Sequence, residues 1–141
     1  MQYLANFEED ADGKILVTFP GVPEAITQGD DIDDARDRAA EVLESALLIY
    51  AEEGKPFPAP TERDGVDVRP IFVSAQTMAK LSLLSAFKQS GMTRVALAKE
   101  LGKGETEIRR MLDPFHATKL PAIEEALKAL GKRIVLTVEA A

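Results

Sequence analysis

The sequence contains no cysteine. A disulfide framework and thiol chemistry are therefore excluded, and the chain suits a reducing compartment. No apolar run approaches the length that spans a bilayer. The opening MQYLANFEEDADG has neither the basic stretch nor the apolar stretch of a secretory signal. We therefore expect a cytoplasmic protein with no membrane partner. Histidine occurs once, as His116, and a lone histidine is more often a loop or capping residue than a ligand or a catalyst. No internal repeat and no low-complexity tract is visible.

What is present is a globular composition. The 141 residues are 45% hydrophobic and 29% charged, enough for one ordinary domain or two small ones. The formal net charge of −7 hides a split. Residues 1–70 carry 6 Lys/Arg against 17 Asp/Glu, net −11, whereas residues 71–141 carry 11 against 7, net +4. Such asymmetry is expected when two halves meet different partners. An acidic surface attracts basic proteins, and a basic one attracts nucleic acid.

The first half alternates like a sheet. QYLANF (2–7) and KILVTF (14–19) place Tyr3, Ala5 and Phe7, and Ile15, Val17 and Phe19, on one face each. EEDADG between them predicts a hairpin loop, and AITQG (25–29) a short third strand. A helix follows from Asp31, with Asp31 to Asp34 as cap candidates and Gly54 at its end. Its apolar stripe is Ala35, Ala39, Val42, Leu43, Ala46, Leu47 and Tyr50. KPFPAPTERDG (55–65) predicts a loop, and VDVRPIFVS (66–74) a strand that Pro70 marks as an edge or a bulge. The expected order is β-β-β-α-β over residues 1–74.

From residue 75 the pattern turns helical, through AQTMAKLSLLSAFKQSG, TRVALAKELG, KGETEIRRML and KLPAIEEALKALG. The tail KRIVLTVEAA has strand composition, with Ile134, Leu136 and Val138 on one face. It could pair across a dimer axis, because a lone edge needs a partner, or pair within its own chain. The second and third of these helices meet at Gly102, and a glycine often supplies the turn of a helix-turn-helix. Ala98 and Leu101 are expected to face Ile108 and Leu112. Glu105, Thr106, Arg109 and Arg110 are then left outward. Arginine suits bidentate readout of guanine, and both Arg and Lys suit phosphates.

LAKELGKGETEIRRML resembles the helix-turn-helix of the lambda-repressor-like (XRE) family. The resemblance rests on Leu97-Ala98, Leu101-Gly102, the small Gly104, Ile108 and Leu112, and it extends over about residues 78–131. It implies base-reading positions at Glu105, Thr106 and Arg109. It implies phosphate contacts near Arg94, Lys103, Arg110, His116 and Lys119. Glu105 departs from the commoner Gln or Arg at its place.

The first half resembles the HicB antitoxin family. The residues that carry this are Phe19-Pro20, Thr27, Gln28, Gly29-Asp30, Ala35 and the helix onward, with EEGKPFPAPT (52–61) matching the family's proline-spaced helix exit. Gly21-Val22-Pro23-Glu24-Ala25 stands where Leu-Pro-Gly-Cys is frequent. With both halves together the chain looks like a HicB antitoxin of the helix-turn-helix subtype. The implied fold is α+β, a degenerate RNase H-like domain (1–74) followed by an all-α DNA-binding and dimerisation domain with a short C-terminal strand (75–141).

The resemblance implies an antitoxin of a type II toxin-antitoxin system. The first domain would cover a HicA-like mRNA interferase, a small basic RNA-cleaving toxin. The second would bind double-stranded operator DNA as a homodimer or higher homo-oligomer and repress its own operon. Charge independently favours an acidic clamp on a basic partner. Candidate contacts are Glu8, Glu9, Asp10 and Asp12, with Val22, Pro23, Gln28 and Asp30 in the segment that follows. Asp10, Asp12, Asp30 and Asp31 are the carboxylates a two-metal nuclease would use, but turn and cap chemistry accounts for them. We expect no enzyme activity, catalytic residue, metal or cofactor. The alternative is a stand-alone transcriptional regulator with a ligand-sensing first domain.

Overall fold

The computed structural model describes residues 1–60 and 65–141. Part of the loop expected over 55–65, and the end of the EEGKPFPAPT match at Thr61, therefore lie outside the described residues. The chain divides into two compact units, Met1–Thr77 and Met78–Ala141.

The first unit follows the expected order. Strands β1 (Gln2–Glu9), β2 (Ile15–Thr18) and β3 (Ile26–Gly29) precede helix α1 (Ile32–Glu52), and β4 (Val68–Phe72) follows it. The sheet is antiparallel throughout, in the order β3-β2-β1-β4. Register decides which side chains share a face. Phe7 pairs with Val17, and Tyr3 with Ile71, so all four lie on one face with Ala5 and Ile15, and all are buried. The α1 stripe of Ala35, Ala39, Leu43, Ala46 and Leu47 is buried as well, while Val42 and Tyr50 are half-buried. Pro70 stands on β4, an edge strand, where a residue without an N–H is tolerated.

Two contacts seat α1. Asp31 caps it by accepting from the Asp34 amide at 2.8 Å, and Asp34 returns the bond by accepting from the Asp30 amide at 2.8 Å. Each bond satisfies a donor near the helix start. Gly29 ends β3 directly beneath the first turn. A Cβ there would lie 2.4 Å from the Ala35 nitrogen. The far end of the helix is tied down differently. The Tyr3 hydroxyl donates to the Pro58 carbonyl at 2.7 Å and so holds the strap that leaves α1.

The second unit comprises α2 (Ala75–Ser90, whose first turn belongs to the first unit), α3 (Arg94–Leu101), α4 (Glu105–Met111) and α5 (Leu120–Ala129). Ala79, Leu83, Ala86, Leu97, Ile108, Met111, Leu112, Ile123, Ala126 and Leu127 form its core. Ala98 and Leu101, expected to fill the α3–α4 contact, are only partly buried beside it. Leu97 takes the central place, at 0% exposure. Thr93 caps α3 by accepting from the Ala96 amide at 3.1 Å. Gly102 ends α3 at φ +63°, with its N–H on the Lys99 carbonyl and the Lys103 N–H on the Ala98 carbonyl. This paired reverse bonding needs the left-handed region that favours glycine.

The tail differs from expectation. Residues 132–141 form no strand within the described chain. Ile134 packs partly against the helical core, but Val135, Leu136 and Val138 are exposed. Strand composition cannot make a strand without a ladder, and among the described residues none of the four strands pairs with the tail.

The Gly29 seat generates a prediction. Gly29→Val forces a backbone shift beneath α1 and should destabilise the chain by about 1–3 kcal/mol. The midpoint of urea unfolding, at unchanged slope, measures it.

Candidate functional site

On α4, burial of Ile108 and Met111 turns the opposite side outward. Glu105, Thr106, Arg109 and Arg110 are all exposed there. Positions 105 and 109 stand one above the other, as do 106 and 110. The structure therefore brings the three expected base-reading residues onto one outward face. Arg94, at the first turn of α3, is exposed, and so are His116 in the loop after α4 and Lys119 at the start of α5.

Lys103 behaves otherwise. Its side chain is only 20% exposed, with Nζ 3.5 Å from Glu107 Oε1 and 3.7 Å from Glu125 Oε2. A phosphate at this place would compete with two carboxylates. Among the expected phosphate contacts, Lys103 is the one whose charge is already engaged by partners in its own unit.

The loop 113–118 is built by short-range bonds. Asp113 Oδ1 accepts from the Phe115 amide at 3.0 Å, the Asp113 carbonyl accepts from the His116 amide at 3.2 Å, and the His116 carbonyl accepts from the Thr118 amide at 2.9 Å. One side chain outside the loop completes it. Lys80 of α2 is 3% exposed. Its Nζ donates to the Met111 carbonyl at 2.8 Å, the Asp113 carbonyl at 3.1 Å and Thr118 Oγ1 at 2.7 Å. Burial pushes its ammonium down to about 8, against a weaker upward pull from Asp113. Sequence reasoning passed over Lys80. The available signal was its place on the 80-83-84-87 face, where its companions are Leu83, Leu84 and Phe87.

The acidic residues of the first unit form a second surface. Glu9 pairs with Ile15, and Ile15 with Gly29. The end of β1, the start of β2 and the end of β3 thus lie at one end of the sheet. Exposed Glu8, Glu9, Asp10, Asp12, Gln28 and Asp30 gather there. Asp10 is structural as well as acidic. Its Oδ1 accepts from the Asp12 and Lys14 amides at 2.9 and 3.0 Å, and its Oδ2 accepts from Gln28 Nε2 at 2.8 Å. Asp30 lies 3.7 Å from the Lys14 ammonium. Asp34, in the first turn of α1, is held below the usual carboxylate range, first by the Asp30 amide and then by Arg38.

Two of the candidate contacts are elsewhere. Pro23 is exposed, but in the β2–β3 connection at the opposite end of the sheet. Val22 corrects the expectation outright. It is 0% exposed, part of the core, and offers a partner no surface. Among the described residues no group of three or more His, Cys, Asp or Glu is placed to hold a metal ion. Among them, too, no helix is long and apolar enough to cross a membrane.

An acidic sheet end in one unit and an arginine-bearing helix face in the other suit a protein that binds macromolecules. A family profile described as a HicB-like antitoxin of a bacterial toxin-antitoxin system matches residues 2–86. The chain is 36% identical to Antitoxin HicB of Escherichia coli strain K12 over 138 residues, 98% of this chain and 99% of that one. It is 34% identical to Antitoxin HicB 1 of Photorhabdus laumondii over 141 residues, 99% of this chain and 88% of that one. With Antitoxin HicB of Pseudomonas fluorescens it shares 32% over 140 residues, 99% and 95% of the two chains. The chain belongs to the HicB family of antitoxins, whose members are not enzymes.

The buried lysine predicts a pH dependence. Its folded value of about 8 lies below the ordinary 10.5. Between those values the unfolded chain keeps a proton that the folded chain sheds, so stability rises with pH across the window and is lost as pH falls through about 8. The gain is at most about 3 kcal/mol. Thermal melts from about pH 7 to about pH 10 should show it in the wild type, and Lys80→Met should flatten it.

Proposed function

We propose that the first unit binds and masks a small basic RNA-cleaving toxin of the HicA type. The second unit is a helix-turn-helix of the lambda-repressor-like kind that binds operator DNA and represses the chain's own operon. In this reading the first unit is a degenerate RNase H-like domain kept for binding. The protein acts in the cytoplasm. The observation that carries the reading is the pairing of opposite charge with separate geometry. Six exposed residues, five of them carboxylates, crowd one end of a sheet, whereas two arginines stand on the outward face of α4. The first surface steers a basic protein and repels nucleic acid. The second fits a major groove, with Thr106 and Arg109 toward base edges and Arg94, Arg110, His116 and Lys119 toward phosphates. Glu105 can accept from cytosine at a cost in phosphate repulsion.

Repressors of this kind read two-fold sites as dimers. The tail supplies the dimer contact, with Ile134, Leu136 and Val138 of one copy laddered against the same residues of a second. Its support is an exposed, apolar segment with no ladder among the described residues.

Co-purification with the product of the adjacent reading frame tests the antitoxin reading. A stoichiometric small basic partner, harmful when expressed alone, is expected. A harmless neighbour that does not co-elute would sink it. Reversing Glu8, Glu9 and Asp12 to Lys should slow association about tenfold or more, an effect that fades with added salt. On DNA, Arg109→Ala should cost about 1–3 kcal/mol and relax specificity at one base pair, whereas Arg110→Ala should weaken all sequences alike and lower the salt slope by about one. Leu136→Asp with Val138→Asp should leave a monomer by sedimentation.

A further inference from the structure

Lys80 carries no part of the reading above, and it is the most deeply placed charge in the second unit. A buried ammonium loses several kcal/mol of hydration, and a well-packed apolar residue of similar volume often serves a core as well or better. The ammonium here is fully used. It has three N–H groups and three acceptors within 3.1 Å, the Met111 and Asp113 carbonyls and Thr118 Oγ1. What those acceptors have in common is position. Met111 closes α4, and its carbonyl is one of the last four that a helix leaves unpaired. Asp113 and Thr118 are the two feet of the loop that carries His116. Lys119, the next residue, starts α5. A cation at the C-terminal end of α4 also complements the helix dipole.

We propose that Lys80 is a positioning residue for operator recognition, fixing the end of α4 and both feet of the 113–118 loop as one rigid piece. This rests on the DNA reading of α4. Arg109 and Arg110 lie immediately before one anchor, and His116 and Lys119 lie beside the others. The base-reading arginine and three phosphate contacts are thereby held in one fixed relation. Phosphate contacts set the register of a protein on its duplex, and base contacts read only when that register is right. A Lys80 that merely held the unit together would make affinity for every DNA fall in parallel with the folded fraction. A positioning Lys80 makes the preference for one sequence fall while general affinity stays.

The test compares two duplexes bound by the full chain. One spans the region immediately upstream of its own coding sequence, and the other has the same composition in scrambled order. Lys80→Met removes all three bonds and keeps an apolar stem. Thr118→Val removes one acceptor at nearly constant shape, and it carries the test alone if the first variant fails to fold. Circular dichroism well below the melting temperature confirms that each variant is folded. We expect unchanged affinity and salt slope on the scrambled duplex, and a preference for the upstream duplex reduced about tenfold or more for Lys80→Met and less for Thr118→Val. Folded variants that discriminate as well as the wild type would overturn the proposal. So would equal losses on both duplexes. A wild type with no preference would overturn the DNA reading itself and this proposal with it, and that failure is recognisable because no variant is needed to see it.

Discussion

Helix α1 packs on the sheet of the first unit most closely at β3, where Gly29 leaves room for Ala35 to come down on the end of the strand. Everything else in that unit follows from this close approach. Alanines at 35, 39 and 46 keep the helix near the sheet, and Leu43 and Leu47 fill what remains. A core this thin takes in one face of each element and nothing more. The acidic residues it excludes collect where the β1–β2 turn meets the end of β3, at Glu8, Glu9, Asp10, Asp12 and Asp30. That acidic sheet end is therefore a by-product of how the strands are registered around the core.

The second unit solves a different problem with the same economy. Four short helices, none longer than α2, share ten buried side chains. Helices of seven or eight residues are not stable by themselves. Their ends must be held by something other than propensity. Thr93, Gly102 and Lys80 do this at three successive points, by a hydroxyl, a left-handed turn and an ammonium. The first two act within the chain's immediate neighbourhood. The third reaches across 31 to 38 residues of sequence.

That span explains what could be read in advance. The order of the first unit, the Asp31 cap, the glycine joint and the outward set on α4 were all legible, because each is written in residues a few positions apart. Lys80 was not, because its acceptors are backbone atoms that no side-chain pattern announces. Val22 was misplaced for a related reason. It lies in a proline-rich connection with no periodicity, where burial depends on a sheet built from elsewhere. The tail had the composition of a strand, but pairing is a property of two segments, and composition describes one. The base-reading and toxin-facing assignments go further than pattern. They drew on the family resemblance, and the structure supplies exposure and grouping for them rather than contact.

The unladdered tail has one more consequence. Pairing of the tail with a second copy, as proposed above, is second order in the number of chains. While chains are scarce, doubling their number would quadruple the number of pairs. A switch built on such pairs responds weakly to a few molecules and steeply to many. In the proposed reading, the threshold at which the operon falls silent would then be set by Val135, Leu136 and Val138, standing in water, and not by α4.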